Sequence, residues 1–179
     1  AFPKEAERSV LATIFRGGLD KLAEAGVALL GGHTVQDAEI KFGYAITGEV
    51  MASAIWSNAG AQAGDELFLT KALGTGIIST AVKFERAPAE AAAAAIRSMI
   101  TLNRLAAEAL QSLPAGVIHA CTDVTGFGLI GHASEISAAS GCTLEIEASA
   151  VPLLTGVLAL VHGNVPGGGR TNTQHFGGD

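Results

Sequence analysis

The sequence predicts an α/β or α+β fold in two unequal parts, because short apolar strands and amphipathic helices follow one another along the chain. Apolar residues make up 49% of the 179 residues, which is enough for a sizeable core. The 23 glycines gather in short clusters, which is typical of loops that bring the backbone close to a ligand.

The first part contains one long helix followed by two strands. Residues 5–25 place their apolar side chains on one broad face, which predicts an amphipathic helix. Gly26 stands where a left-handed C-cap is usual. Residues 27–30 and 42–51 are then predicted to be strands, with a polar loop between them.

The second part begins after a stretch of small residues at 52–64, which we interpret as a domain boundary. We therefore expect one domain over residues 1–55 and another over residues 64–179. The second part alternates strands with helices, with strands predicted at 65–70, 117–121 and 143–148 and helices at 77–83, 88–113, 129–139 and 151–162. Residues 163–179 are rich in glycine and lack periodicity, so they are predicted to be irregular. Both ends look cut, and we expect an internal fragment of a longer protein.

Charge and hydropathy exclude several classes of protein. The net charge of −6 and the absence of a basic stripe argue against nucleic-acid binding. No apolar run reaches the roughly 18 residues that a membrane-spanning helix needs, and no signal peptide is visible, so we expect a cytoplasmic protein with no membrane partner. Cys121 and Cys142 lack the spacing of a metal site and are interpreted as buried thiols.

The segment Thr122–Gly128 carries the strongest chemical signal. Asp123 follows an apolar run and precedes a glycine-rich turn that leads into a helix. Helix N-termini attract phosphates through their free N–H groups, and a divalent cation reconciles a carboxylate with a phosphate. Asp123 is therefore a candidate metal ligand, with simple capping of the turn as the alternative. His132, one turn into the helix, is interpreted as structural.

A second candidate site follows the first predicted strand. Gly32, His33 and Thr34 lie at its carboxyl end, where open α/β sheets usually bind ligands, and a plain surface turn is the alternative. Asp37 and Glu39 are interpreted as solvated loop carboxylates.

Two other glycine-rich segments carry a cation. Lys71 precedes the glycines at 74–76, which is not the order of a phosphate-binding P-loop, so we expect a turn that packs a helix tightly. Lys71 is still a candidate to point towards Asp123. Arg170 either clamps a phosphate or lies at the tip of a surface loop.

In their order and spacing these motifs resemble the selenophosphate synthetase family. The similarity covers nearly the whole chain, and its most specific element is TDVTGFGLIGH at residues 122–132. The other matching motifs are GGHT at 31–34, FG at 42–43, TG at 47–48, LTK at 69–71, LGTG at 73–76, and VPGG at 165–168 with Asn172.

The resemblance implies synthesis of selenophosphate from selenide and ATP, with Mg²⁺ and with release of AMP and orthophosphate. It implies the ATP-binding superfamily shared with aminoimidazole ribonucleotide synthetase, in a homodimer whose N-terminal domains pair. Asp123 corresponds to a magnesium ligand, and Gly32, His33 and Thr34 to a segment that contacts ATP across the dimer interface. Gln36 stands where the family often has an acidic residue, and Asp37 is the candidate substitute.

The reactive Cys (or selenocysteine) and Lys of the family lie in a glycine-rich N-terminal segment that has no match here. Cys121 and Cys142 match neither position, so no catalytic residue is assigned, and the chain by itself is expected to be inactive. Two alternatives stay open. One is another ATP-dependent enzyme of the superfamily, such as aminoimidazole ribonucleotide synthetase, thiamine-phosphate kinase or a hydrogenase maturation factor. The other is a non-catalytic nucleotide-binding domain.

Overall fold

The structure, a computed structural model, describes residues 1–177, and the chain divides into two compact units. The first unit is Ala1–Ala52 and the second begins at Ser53. The described residues form the helices α1 (Arg8–Ala25), α2 (Thr75–Lys83), α3 (Ala89–Ile100), α4 (Arg104–Gln111), α5 (Gly128–Ser140), α6 (Val157–Asn164) and α7 (Gly167–Phe176). Among residues 1–177, no helix combines the length and the hydropathy that crossing a membrane requires.

The first unit is organised around α1 and a row of aromatic rings. α1 ends as predicted, because Gly26 has φ 70° and its N–H bonds the carbonyl groups of the last turn. The aromatic row runs from Phe2 through Phe15 to Phe42 and Tyr44, with ring centroids 6.3, 5.2 and 5.2 Å apart. The hydroxyl end of Tyr44 lies against Gly18 of α1, so a side chain at position 18 would displace the end of the Tyr44 ring.

The core of the second unit lies where α2 packs against α3 and α6. Its buried members are small or branched, which lets the helices approach closely: Ile78, Ala81, Ala91, Ala95, Val157 and Leu160. Gly74 precedes α2 with φ 120°, and Leu73 forms an isolated parallel bridge with Leu153. The predicted turn before α2 is therefore present, but the strand on which the helix was expected to pack is not formed within the described residues.

Three helix predictions need correction. The helix predicted over residues 88–113 is two helices, because Thr101 is extended (ψ 118°) and interrupts it. The helix predicted over residues 151–162 begins only after Gly156, which has φ 86°, and it ends at a kink. The tail predicted to be irregular contains α7, because tertiary contacts override the low helix propensity of its glycines. Gly178 and Asp179 lie outside the described residues.

The five predicted strands form no paired ladder within the described residues. The bridges there are isolated ones, Phe2 with Gln36 and Leu73 with Leu153. A strand needs a neighbour to satisfy its backbone groups, and the periodicity of one segment says nothing about whether that neighbour is present. One further link joins the Cys121 N–H to the Ser57 carbonyl oxygen over 2.8 Å.

Candidate functional site

Asp123 lies in the second unit between residues 117–121 and the turn that begins α5. The Gly128 N–H closes this turn by donating to the Thr125 carbonyl oxygen over 3.0 Å. Gly128 itself has φ 72°, a conformation that glycine adopts without strain. Asp123 is exposed and forms no hydrogen bond or ion pair with any residue in the described part of the chain. Its carboxylate is therefore accessible to a ligand, and the alternative role of capping the turn receives no support.

His132, a residue of α5, links this helix to the turn. The side chain is buried, with 8% exposure. Its Nε2 lies 3.0 Å from the Thr125 hydroxyl and its Nδ1 lies 3.1 Å from a Glu135 carboxylate oxygen. An ionised carboxylate only accepts, so Nδ1 carries the proton that Glu135 binds, and in the neutral ring Nε2 accepts from Thr125. The structure thus gives His132 the structural role that the sequence predicts.

α7 supports the same turn from another side. Phe127 packs edge-on against Phe176, with ring centroids 5.8 Å apart. The Asn172 side chain donates from Nδ2 to the Gly126 carbonyl oxygen over 2.8 Å. A Cβ on Gly131 would lie 2.7 Å from the Phe127 Cβ and 2.9 Å from Phe176. The glycine at 131 therefore leaves the space that this packing needs, and α7 is part of the site.

Gly32, His33 and Thr34 lie in the first unit, in an irregular segment. All three are exposed, and the side chains of His33 and Thr34 form no hydrogen bond within residues 1–177. Leu30, two residues before this segment, is 96% exposed. This segment therefore presents its polar groups to solvent.

Asp37 belongs to a local turn. Its carboxylate lies 2.6 Å from the Lys41 ammonium group and accepts the Glu39 N–H over 3.0 Å. Lys41, and after it the Glu39 N–H, lowers the pKa of Asp37 below its ordinary value of 3.8. Asp37, interpreted from the sequence as a solvated carboxylate, is therefore paired within its own loop.

Lys71 does not act as a free cation. Its ammonium group donates to the Ser98 carbonyl oxygen over 3.2 Å and also to the Thr101 carbonyl oxygen. These carbonyl groups lie at the C-terminal end of α3, where a cation is favourable. The expectation that Lys71 points towards Asp123 therefore gives way to a role in capping α3.

The two cysteines are half-buried free thiols rather than fully buried ones.

One ionisable pair was missed by the sequence analysis. Asp65 and His119 are 54 residues apart, and the His119 Nδ1 lies 2.8 Å from one Asp65 oxygen. The Gln62 N–H, and then His119, lowers the pKa of Asp65 below 3.8. No local pattern joins the two residues, so only the tertiary structure identifies the pair.

Asp123 suits a magnesium site in which it supplies one ligand and other groups supply the rest. No group of three or more His, Cys, Asp or Glu residues in the described part of the chain is arranged to hold a metal ion. Mg²⁺ is usually held by one or two carboxylates, with waters and substrate phosphates completing its octahedron. A single exposed carboxylate that bonds none of the described residues suits that arrangement.

The comparisons with known proteins agree with the motifs. Residues 1–50 match the family "AIR synthase related protein, N-terminal domain", and residues 62–161 match "AIR synthase related protein, C-terminal domain". A curated protein of Geobacter metallireducens is 49% identical over 168 residues, which cover 93% of this chain and 48% of that protein. Relatives from Pelobacter propionicus (45%, covering 99% of this chain and 51% of the relative) and Caldanaerobacter subterraneus subsp. tengcongensis (42%, covering 94% and 48%) are also similar.

All three relatives are named selenide, water dikinase, which confirms the resemblance seen in the motifs. The chain spans about half the length of these relatives. Both domain matches confirm the predicted fold class, that of the superfamily shared with aminoimidazole ribonucleotide synthetase. With one domain match covering residues 62–161 and the other covering residues 1–50, the chain belongs to the AIR synthase-related protein family.

Proposed function

We propose that this chain is part of a selenide, water dikinase, which makes selenophosphate from selenide and ATP and releases AMP and orthophosphate. The observation that carries the proposal is the 42–49% identity to proteins of that name over 93–99% of the chain. The motif at residues 122–132 supports it. The enzyme is a cytoplasmic homodimer in this proposal, without nucleic-acid or membrane partners.

Asp123 is the proposed ligand for Mg²⁺. Asp123 is exposed and has no bonded partner within residues 1–177, which leaves both carboxylate oxygens available, and the turn after it is held by Thr125, His132 and Asn172. When bound, Mg²⁺ neutralises charge on the ATP phosphates. Asp123 would hold the cation beside the turn.

Gly32, His33 and Thr34 are the proposed ATP contacts, acting across a dimer interface. Two consecutive glycines let a ligand approach the backbone, while the imidazole and the hydroxyl offer polar contacts.

Domain limits at residues 1–55 and 64–179 are part of the same proposal. Residues 1–55 would be the C-terminal part of an N-terminal ATP-binding domain, and residues 64–179 would be an incomplete C-terminal domain.

The metal assignment is tested with Asp123→Asn in an enzyme of the relatives' full length that contains this sequence. We expect AMP release to fall at least about 100-fold, because metal-ion stabilisation is worth several kcal/mol. Asp20→Asn is the control, since Asp20 is exposed on α1 and carries the same charge. Near-normal turnover of the Asp123 variant with unchanged Mg²⁺ dependence would contradict the assignment.

The same enzyme separates the alternatives. Aminoimidazole ribonucleotide synthetase and thiamine-phosphate kinase activities should yield ADP, whereas the proposed reaction yields AMP in proportion to selenide. A non-catalytic nucleotide-binding domain is distinguished by calorimetry of this chain with ATP and Mg²⁺. Binding without any turnover in the longer enzyme would favour that alternative.

A further inference from the structure

Positively charged side chains line a cleft in the second unit, although the chain as a whole has a net charge of −6. Its volume is about 430 Å³, within the range of about 300–1,000 Å³ typical of small-molecule sites. Lys83, Arg86 and Arg170 line it, and among the described residues no carboxylate does so. Phe84 and Pro166 supply apolar surface.

One side of the cleft is the end of α2. The helix stops at Lys83, and Glu85 then adopts φ 57°, a left-handed conformation that turns the chain sharply. The Arg86 N–H bonds back to the Ala81 carbonyl oxygen over 2.8 Å. This turn places two cations, Lys83 and Arg86, at the same end of one helix.

The other side is the connection between α6 and α7. Gly163 has φ 88° and kinks the chain there. The Arg86 Nη1 donates to the Gly163 carbonyl oxygen over 3.3 Å, and its guanidinium carbon lies 5.2 Å from the centre of the Phe84 ring. Two contacts thus hold Arg86 in place while some of its five N–H donors stay available. Arg170, in the first turn of α7, completes the set of cations.

Ordinary surface roles account for only part of this arrangement. Lys83 suits the C-terminal end of α2, where a cation offsets the helix dipole. That role does not explain why Arg86 and Arg170 line the same cleft. Neither Lys83 nor Arg170 forms a hydrogen bond or ion pair through its side chain within residues 1–177. Neighbouring like charges repel one another unless an anion lies between them.

We propose that this cleft binds a small phosphate-bearing anion, held by Lys83, Arg86 and Arg170. Guanidinium groups match phosphate oxygens with two donors each, and lysine adds a third charge. Phe84 offers an apolar surface to the rest of the ligand. The cleft involves neither Asp123 nor the segment at residues 32–34, so the proposal does not depend on the proposed function.

The test is calorimetric titration of this chain with inorganic pyrophosphate in metal-free buffer, where no cation at Asp123 can contribute. We expect saturable binding that weakens at least about tenfold in Lys83→Gln/Arg170→Gln, because two charge-assisted contacts are lost. Arg86 is left unchanged because it also bonds Gly163. The control is Lys4→Gln/Arg16→Gln, which alters the net charge equally at exposed positions of the first unit.

Every result of this titration either supports or overturns the proposed anion site. Weakening in the cleft variant alone, with unchanged circular dichroism, supports a site in the cleft. Equal weakening in both double variants would show only general charge attraction and would overturn it. Absence of binding to the unmodified chain would overturn it too. Loss of binding in His33→Ala, with full binding in the cleft variant, would place the anion at the segment 32–34 instead.

Discussion

Asn172 donates a hydrogen bond from its side chain to the carbonyl oxygen of Gly126 over 2.8 Å, which joins α7 to the turn that follows Asp123. The contact spans 46 residues of sequence. A backbone carbonyl in a glycine-rich turn has few other ways to be held, so a side-chain donor limits the turn's conformations. The position of Asp123 therefore depends in part on α7.

Replacing Asn172 by alanine should destabilise the second unit by about 1 kcal/mol, the usual net value of one hydrogen bond. The free energy of unfolding, from urea titration, measures the effect. Gln174→Ala is the control, since Gln174 is exposed on the same helix and forms no hydrogen bond within residues 1–177. Equal effects of the two substitutions would show that the bond to Gly126 contributes nothing.

His132→Ala should cost more, about 2–3 kcal/mol, because it removes a buried ring and leaves two partners without their contacts. The buried ring bonds both Thr125 and Glu135, and it packs 5.6 Å from the Phe127 ring. Thermal unfolding followed by circular dichroism measures the loss. His162→Ala provides the comparison because His162 is exposed, and a loss there as large as at His132 would rule out a special role for the buried network.

Local signals predicted much of the helical structure. Gly26 ends α1 in the left-handed conformation, as expected, because a helix C-cap is decided by a few consecutive residues, and Gly141 ends α5 in the same conformation. The break after α3 could not be predicted in this way. It coincides with the binding of Lys71 to the Thr101 carbonyl oxygen, a contact across 30 residues that helix propensity does not reflect.

In the candidate site, too, local sequence predicted some features, and tertiary contacts determine the others. The motif containing Asp123 and the structural role of His132 were predicted from the sequence alone. α7 was not, because three glycines at its start and a polar sequence resemble a loop. Tertiary contacts hold α7 in place, including the packing of Phe176 against Phe127 and the hydrogen bond from Asn172 to Gly126. The contacts of Lys71 could not be predicted for a related reason, since a charge pattern does not reveal which carbonyl groups a cation will meet.

Acid should weaken the contact between residues 62–65 and His119. The pKa of Asp65 is lowered by the Gln62 N–H and then by His119, so the folded state favours the carboxylate form. Stability from this group is present above its ordinary pKa of 3.8 and is lost as the pH falls through the lower folded value.

The measurement is the free energy of unfolding from pH 7 to pH 2 for the unmodified chain and for Asp65→Asn. Their difference should shrink once the pH falls below about 4, because the Asp65 carboxylate becomes protonated there. Asp20→Asn should show no such shrinkage relative to the unmodified chain, since Asp20 is exposed and has no bonded partner among the described residues. A difference for Asp65→Asn that is independent of pH would show that its lowered pKa does not contribute to stability.

Two glycines at the start of α2 should differ in their response to alanine. A Cβ on Gly74 would lie 2.2 Å from a Val157 methyl group, and the residue has φ 120°, so both packing and backbone oppose a side chain. Gly74→Ala should therefore destabilise the second unit by about 2–4 kcal/mol. Gly76 lies inside α2, and its Cβ would meet only Pro166 at an ordinary 3.7 Å.

Gly76→Ala should then leave stability unchanged or raise it by up to about 1 kcal/mol, the difference in helix propensity. Urea unfolding of both variants gives the comparison, and the two changes are chemically identical and only two residues apart. If both alanines destabilise alike, the close approach of Gly74 to Val157 is not what the start of α2 requires. Adding Val157→Ala to Gly74→Ala should recover part of the loss, because it removes the methyl groups that the new Cβ meets while the unfavourable φ persists.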